Sequence, residues 1–312
     1  MKFYLGITDN SWFNYLSGIN PDDANFWQPG GKAGFKVLQP GAPFLFKLKY
    51  PVNAIGGVGF FSSHTFLPIS VAWDTFGNHN GCDTYDEFKR KIISYRGDKT
   101  EVNPQIGCIV LTNPIFFKRE DWIDTPADWA KSIQIGKGYS TDDVIGGRLW
   151  EKVELVLNKY LLDNPVSTET SFIVQEPPQR YDNYILTKVR VGQGAFRVLV
   201  TDSYSRKCSI TGEKTLPVLE SAHIKSYSKD GPNVVSNGIL LRSDIHKLFD
   251  TGYLTITKDL KVEVSNRIKE EFLNGKEYYQ YHGKDLINIP QRLNDRPNAQ
   301  YIEWHNSNVF KG

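Results

Sequence analysis

The chain has 312 residues, 40% of them hydrophobic, and a formal net charge of +2. No apolar run approaches the roughly 20 residues that a membrane helix needs, and the N-terminal MKFYLGITDNSWF lacks the apolar core and cleavage site of a signal peptide. The three cysteines have no CxxC spacing, so neither a disulfide framework nor a structural zinc finger is indicated. We therefore expect a cytoplasmic protein without membrane association, and two domains at this length.

The first 160 residues consist mainly of short β-type segments that glycine and proline separate. Short strands with glycine and proline between them are typical of a small curved barrel. Two amphipathic segments, at 85–95 and 146–162, predict helices beside it. The strands are predicted at 3–7, 44–48, 54–61, 107–112 and 115–117.

The run GAPFLFKLKYPVNAIGGVGFF at 41–61 resembles PUA-superfamily domains of the EVE, ASCH and SRA types. That resemblance implies a β-barrel with a pocket that captures a modified or flipped base, which takes stacking rings and a few hydrogen-bonding groups. Trp27, Trp73, Asp74 and Phe76 are the candidate pocket residues, because they combine aromatic and polar groups in loop-like composition. The alternative is that these aromatic side chains pack the core.

Residues 163–179, DNPVSTETSFIVQEPPQ, have the composition of a linker. We therefore predict a first domain at 1–165, a linker at 166–179 and a second domain at 180–312. Residues 1–175 carry 17 Lys and Arg against 19 Asp and Glu, whereas residues 176–312 carry 20 against 16. The second half is thus the more basic one.

The stretch 219–250, LESAHIKSYSKDGPNVVSNGILLRSDIHKLFD, concentrates the side chains that can carry chemistry. A β-type run ends at His223, a polar loop follows, and Asn237 begins a turn before a second short strand. A short helix then places His246 and Asp250 one turn apart on one face. The predicted order of elements is strand, loop, strand, helix.

This arrangement resembles the HNH, or ββα-metal, nuclease family. The resemblance implies that His223 is the general base, that Asn237 braces the loop and that His246 holds a divalent metal ion. Asp250 occupies a position that often supplies a further ligand. These roles fit the residue types, since a histidine that titrates near neutrality can accept a proton from water.

One position departs from the family pattern. Many members have an Asp or His ligand immediately before the general base, and this chain has Ala222. Asp250 and Glu220 are the candidates for the missing ligand. Mg²⁺ is the expected metal, with Mn²⁺ as an alternative, because Mg²⁺ keeps several waters and needs few protein ligands.

The run VRVGQGAFRVLVTDSY at 189–204 resembles the first helix of the same nuclease branch. Arg190, Arg197 and Lys225 are candidate contacts to DNA phosphates. For the two arginines, an ordinary solvated or structural charge is an equally good interpretation. His282 and His305, which lie outside the motif, are expected to be structural.

Together the two resemblances imply a modification-dependent restriction enzyme. We expect an α+β chain, with an N-terminal PUA-like β-barrel domain with flanking helices and a C-terminal ββα-metal HNH nuclease domain. The expected substrate is double-stranded DNA with methylated or hydroxymethylated bases, and two strand cuts favour a homodimer. Two alternatives stay open: a restriction enzyme that reads an unmodified sequence, and a DNA-binding module that does not cleave.

Overall fold

The computed structural model describes residues 1–32, 34–97, 100–163 and 192–312. The chain divides into two compact units, Met1–Ala195 and Phe196–Gly312, which we call unit 1 and unit 2. The predicted linker at 166–179 and Arg190 lie outside the described residues. Among the helices that are described, none is both long and apolar enough to cross a membrane.

The described strands of unit 1 form one seven-stranded sheet. Its order is β2-β5-β4-β3-β1-β7, with β6 beside β4. β1 and β3 are parallel, and the other neighbours are antiparallel. Over the described residues this order is an open path with unpaired ends, so closure into a barrel stays a prediction. The strands are β1 (Lys2–Thr8), β2 (Asp23–Gln28), β3 (Pro43–Leu48), β4 (Ala54–Pro68), β5 (Gln105–Phe116), β6 (Ile123–Asp124) and β7 (Gly136–Ser140).

Helices cover this sheet on both faces. Successive side chains of a strand point to opposite faces, and on β1 Tyr4 packs in one apolar cluster while Phe3 packs in another. The first cluster includes Trp12 from α1, and the second includes Val153 from α4. The helices of unit 1 are α1 (Asn10–Ile19), α2 (Ile69–Phe76), α3 (Tyr85–Ser94) and α4 (Val144–Asp163).

Unit 2 is built on two antiparallel hairpins with short helices around them. The first hairpin, β8–β9, pairs His223 with Gly238 and is followed directly by α6. The strand, loop, strand, helix order predicted from the sequence is therefore present. Its elements are α5 (Gln193–Ser203, of which Phe196 onwards lies in unit 2), β8 (Leu219–His223), β9 (Gly238–Arg242), α6 (Ser243–Asp250), β10 (Leu254–Ile256), β11 (Val262–Val264), α7 (Arg267–Phe272), α8 (Lys276–Tyr279) and α9 (Ala299–Asn308).

Large apolar side chains fix the first hairpin and α6 against each other. Leu240 on β9 and Phe249 on α6 are fully buried, and only 1% of Phe196 on α5 is exposed. The hydroxyl of the buried Tyr204 donates to the carbonyl of Gly238 at 3.1 Å. The hairpin therefore rests on a packed core at the point where His223 ends β8.

Candidate active site and cavity

The side chain of His223 is held by a ring and by an amide. Its imidazole lies parallel to the ring of Phe196, with 3.9 Å between centroids and 11° between planes. Its Nε2 lies 2.8 Å from Oδ1 of Asn233. Burial lowers the pKa of His223, and the bond to Asn233 and the charge of Asp250 oppose that effect only in part. At neutral pH the ring is thus mainly in the neutral form that can accept a proton.

Asn237 closes the loop between β8 and β9. It is fully buried, and its Oδ1 accepts a hydrogen bond from the backbone N–H of Lys225 at 2.8 Å. Its Nδ2 donates to the carbonyls of Lys225 at 3.0 Å and Pro232 at 2.9 Å. Because these bonds join the two ends of the loop, they fix the end of β8 next to His223. This is the geometry that a bracing residue needs.

His246 lies between two carboxylates. Its Nδ1 is 2.5 Å from Oε2 of Glu220 on β8, and its Nε2 is 3.2 Å from Oδ2 of Asp250, one helical turn on. Burial alone would lower the pKa of His246, but the hydrogen bonds to Asp250 and Glu220 outweigh it and raise the pKa. The two nitrogens of this ring therefore have different partners from different elements.

The donor set on α6 suits a hard divalent cation. The described residues contain no ready-made group of three or more His, Cys, Asp or Glu that could hold a metal ion. Mg²⁺, however, keeps several waters and takes few protein ligands at about 2.1 Å, so two neighbouring ligands of its octahedron stand roughly 3 Å apart. The 3.2 Å between Nε2 of His246 and Oδ2 of Asp250 matches that spacing. Glu220, on the other nitrogen, holds the ring as outer carboxylates do in metal sites.

Polar and aromatic side chains surround His223. Arg197 is exposed on α5, next to Phe196, and the Nζ of Lys225 lies 5.9 Å from the ring centroid of Trp304. The ring of Tyr227, which is 54% exposed, has its centroid 6.2 Å from that of His223. The predicted phosphate contact Lys225 therefore lies in the loop that follows His223, the candidate general base.

Unit 1 contains a cavity of about 360 Å³ with aromatic walls and a charged corner. It lies where β1, β2 and β3 end. The side chains that give it this character are Trp12, Phe26, Trp27 and Tyr95, together with Asp9, Gln28 and Lys49.

The charged corner is a connected group of three side chains. The hydroxyl of Tyr95 donates to Oδ2 of Asp9 at 2.8 Å, and Nζ of Lys49 lies 3.3 Å from the same oxygen. Burial would raise the pKa of Asp9, but hydrogen bonds from Ser11, Tyr95 and the backbone of Trp12, with the charge of Lys49, lower it far below its usual range. Asp9 is therefore ionised at any physiological pH.

Of the predicted pocket residues, Trp27 lines this cavity, and its Nε1 donates to the carbonyl of Asn80 at 3.0 Å. Trp73, Asp74 and Phe76 are not among the lining residues of this cavity. They lie on helix α2, in a segment whose composition predicted a loop.

The loop expected around residue 73 was wrong for a physical reason. Ile69, Ala72 and Phe76 are buried and fall at helical spacing, so the segment between Pro68 and Gly77 gains more from packing one face as a helix. Asp9, Lys49 and Tyr95 were missed because they come from three distant parts of the chain. Asn233 was missed because nothing in its local sequence separates it from other loop residues.

Residues 208–257 match a family model described as HNH endonuclease. The matched segment contains β8, β9, α6 and β10. This part of the chain is therefore an HNH endonuclease domain, and the predicted resemblance and nuclease class are confirmed.

Two solved structures show distant similarity. The ASCH protein from Zymomonas mobilis is 9% identical over 49% of this chain and 94% of its own, with a TM-score of 0.32. The modification dependent TagI restriction endonuclease is 17% identical over 92% of this chain and 75% of its own, with a TM-score of 0.27. A comparison with curated proteins finds no match.

Proposed function

We propose that the chain is a modification-dependent DNA endonuclease, in which unit 2 hydrolyses phosphodiester bonds and unit 1, as a PUA-like domain, recognises an altered base. The observation that carries the nuclease half is the pair of histidines on one hairpin and helix. His223 is neutral and clamped, whereas His246 is held by Glu220 and Asp250. A proton acceptor and a site for a cation are the two things that phosphodiester hydrolysis requires.

In this mechanism His223 takes a proton from the attacking water. The water oxygen forms a bond to phosphorus while the bond from phosphorus to the 3′-oxygen breaks. The 3′-oxygen takes a proton from solvent, which gives a 3′-hydroxyl and a 5′-phosphate. His246 and Asp250 would hold the divalent cation, Mg²⁺ or alternatively Mn²⁺. When bound, the cation supplies positive charge that stabilises the phosphoryl and leaving oxygens.

Binding of double-stranded DNA needs positive charge around the hairpin. Lys225 on the loop and Arg197 on α5 are the described candidates for phosphate contacts, and Arg190 remains a prediction. Because each active site cuts one strand, we propose that two copies of the chain act together as a homodimer. Light scattering that shows only monomer, both free and on uncleavable DNA, would contradict the dimer.

The reader half of the proposal is supported by the cavity of unit 1. Its aromatic walls, which include Trp27, suit the faces of a base that has left the helix. The ionised Asp9 can accept a hydrogen bond from an exocyclic amino group, and Lys49 can donate one to a neighbouring ring nitrogen or carbonyl. A cytosine with a methyl or hydroxymethyl group offers this donor and acceptor pair. In this proposal Trp27 is the predicted pocket residue that contacts the base.

Cleavage of four matched DNAs in Mg²⁺ and in Mn²⁺ tests both halves. The DNAs carry cytosine, 5-methylcytosine, 5-hydroxymethylcytosine or its glucosylated form. We expect the wild type to cut modified DNA only, His223→Ala to cut none, and Trp27→Leu to lose most of the preference for modified DNA. His282→Ala, which removes an exposed histidine outside the motif, serves as the control and should cut like the wild type.

Two outcomes would overturn the proposal. Equal cutting of all four DNAs would support the nuclease activity but contradict recognition of a modified base, and would favour an enzyme that reads an unmodified sequence. Failure to cut any DNA with either metal, while the chain still binds DNA, would make it a binding module.

A further inference from the structure

We infer that Asn233 is a positioning residue of the active site, whose side-chain amide sets the tautomer of His223 so that Nδ1 keeps the lone pair that accepts the proton from water. The inference rests on the proposed role of His223 as general base. It assigns to Asn233 a part that is separate from the bracing part of Asn237.

The hydrogen bond defines which nitrogen carries the proton. An amide oxygen only accepts hydrogen bonds, so Nε2 of His223, at 2.8 Å from Oδ1 of Asn233, is the donor. A neutral imidazole has one N–H group, and burial keeps this ring neutral at neutral pH. The proton on Nε2 therefore leaves the lone pair on Nδ1. For a general base, the nitrogen with the lone pair is the one that reacts.

Ring packing alone cannot make this choice. Phe196 stacks on His223 at 3.9 Å and 11°, which fixes the plane of the imidazole. A half turn about the Cβ–Cγ bond leaves the ring in the same plane but exchanges the positions of its nitrogen and carbon atoms. The flipped ring would present a carbon to Oδ1 of Asn233 and lose the hydrogen bond. Phe196 thus selects the plane, and Asn233 selects one of the two orientations within it.

The loop holds Asn233 in place through its neighbour. Asn237 donates to the carbonyl of Pro232, the residue immediately before Asn233. The loop is also closely folded at this point, since a Cβ added to Gly231 would clash with the carbonyl oxygen of Lys225. Asn237 therefore holds the backbone at Pro232, and this places the next residue, Asn233, where its side chain contacts the imidazole of His223.

The test compares Asn233→Leu, which removes the acceptor, with Asn233→Asp, which keeps an acceptor oxygen. The full-length protein, labelled with ¹⁵N in histidine, is studied by NMR at pH 8.5, and the His223 signals are assigned by their absence from His223→Ala. Single-turnover cleavage and DNA affinity are measured alongside. Ser228→Ala in the same loop is the control.

We expect the Nε2–H tautomer of His223 in the wild type, in Asn233→Asp and in Ser228→Ala. In Asn233→Leu we expect a mixture of tautomers and a single-turnover rate lower by about 10- to 100-fold, the usual cost of losing an outer partner of a site residue. DNA affinity should be unchanged, because Asn233 orients the general base His223 and does not contact the DNA phosphates.

A wild-type rate and an unchanged tautomer in Asn233→Leu would overturn the inference. If that variant does not fold, Asn233→Asp still decides, since loss of the Nε2–H tautomer there would also overturn it. Cleavage by His223→Ala at the wild-type rate would instead remove His223 as the base. Failure of the inference and failure of the proposed function are therefore distinguishable.

Discussion

Oε2 of Glu220 lies 2.5 Å from Nδ1 of His246, and this bond joins the first strand of the hairpin to the helix that follows the second. In the protonated ring, Nε2 also donates to Oδ2 of Asp250 at 3.2 Å; when Nε2 gives up its proton, Nδ1 still donates to Glu220 and the lone pair on Nε2 can bind a cation. In the proposed metal site, Glu220 would orient His246 as a ligand and so offset the ligand that Ala222 cannot supply.

Replacement of Glu220 by Gln should weaken metal binding about 10-fold, because a neutral amide orients the imidazole less firmly and makes it less basic than a carboxylate does. Isothermal titration of the full chain with Mn²⁺ measures the affinity directly, without reference to cleavage. Glu277→Gln, on α8, removes one negative charge from the same unit and should bind Mn²⁺ like the wild type. Equal affinity in the Glu220 and Glu277 variants would mean that Glu220 does not act on the metal site.

Asn237→Ala should destabilise unit 2 by about 3 kcal/mol or more. The substitution removes three hydrogen bonds, and each buried backbone group left without a partner costs about 1–3 kcal/mol. Native-state hydrogen exchange at the slowest amides of β9 reports the free energy of opening of this unit. Ser228→Ala, in the same loop, should change that free energy by less than about 0.5 kcal/mol. Similar free energies of opening in the two variants would show that Asn237 does not brace the loop.

The hairpin and helix of unit 2 were predictable because their signals are local. An Asn-Gly turn, two short apolar runs and the spacing of His246 and Asp250 lie within 32 consecutive residues. Helix α6 itself begins without a side-chain cap, and Asp244 in its first turn pairs with Arg242 through contacts of 2.6 and 2.8 Å.

The cavity of unit 1 could not be predicted from the sequence, because its lining residues are far apart in the chain and come together only in the folded structure. Asp9, Lys49 and Tyr95 follow β1, β3 and α3, and no local pattern states that those three ends converge. The same limit applies to β5, which was predicted as two strands. Asn113 adopts a left-handed φ of 44°, yet the strand continues through it, because the pairing of β5 with β4 shifts in register at this point.

Tyr95→Phe should lower the affinity for modified DNA by about 5- to 10-fold. The ring remains, but Asp9 loses the hydroxyl that donates to it at 2.8 Å, so the charged corner is less well ordered for a base. Fluorescence anisotropy with DNA containing 5-hydroxymethylcytosine, in Ca²⁺ to prevent cleavage, measures the affinity. Tyr50→Phe removes a hydroxyl from a side chain that is 82% exposed and serves as the control. An unchanged affinity in Tyr95→Phe would separate the cavity from base recognition.

His305 on α9 forms a second parallel stack in unit 2. Its ring lies 3.9 Å from that of Phe249 with 17° between planes, and its Nε2 donates to the carbonyl of the same residue at 3.0 Å. Only 2% of the residue is exposed. Burial lowers the pKa of His305 to about 4, against the smaller opposing effects of the Phe249 carbonyl and Asp250.

This shift makes unit 2 less stable in mild acid. The unfolded chain, with a histidine pKa near 6.5, binds a proton between pH 6.5 and about 4 that the folded chain does not. The neutral, buried His305 therefore contributes fully to the free energy of unfolding above about pH 6.5, and this contribution is lost as the pH falls towards 4. At pH 5 the loss is about 2 kcal/mol. Hydrogen exchange at β9, at pH 7.5 and pH 5, gives the change in free energy of unfolding. We expect it to be about 2 kcal/mol smaller in His305→Gln than in the wild type, and equal changes in the two proteins would show that His305 is not the group responsible.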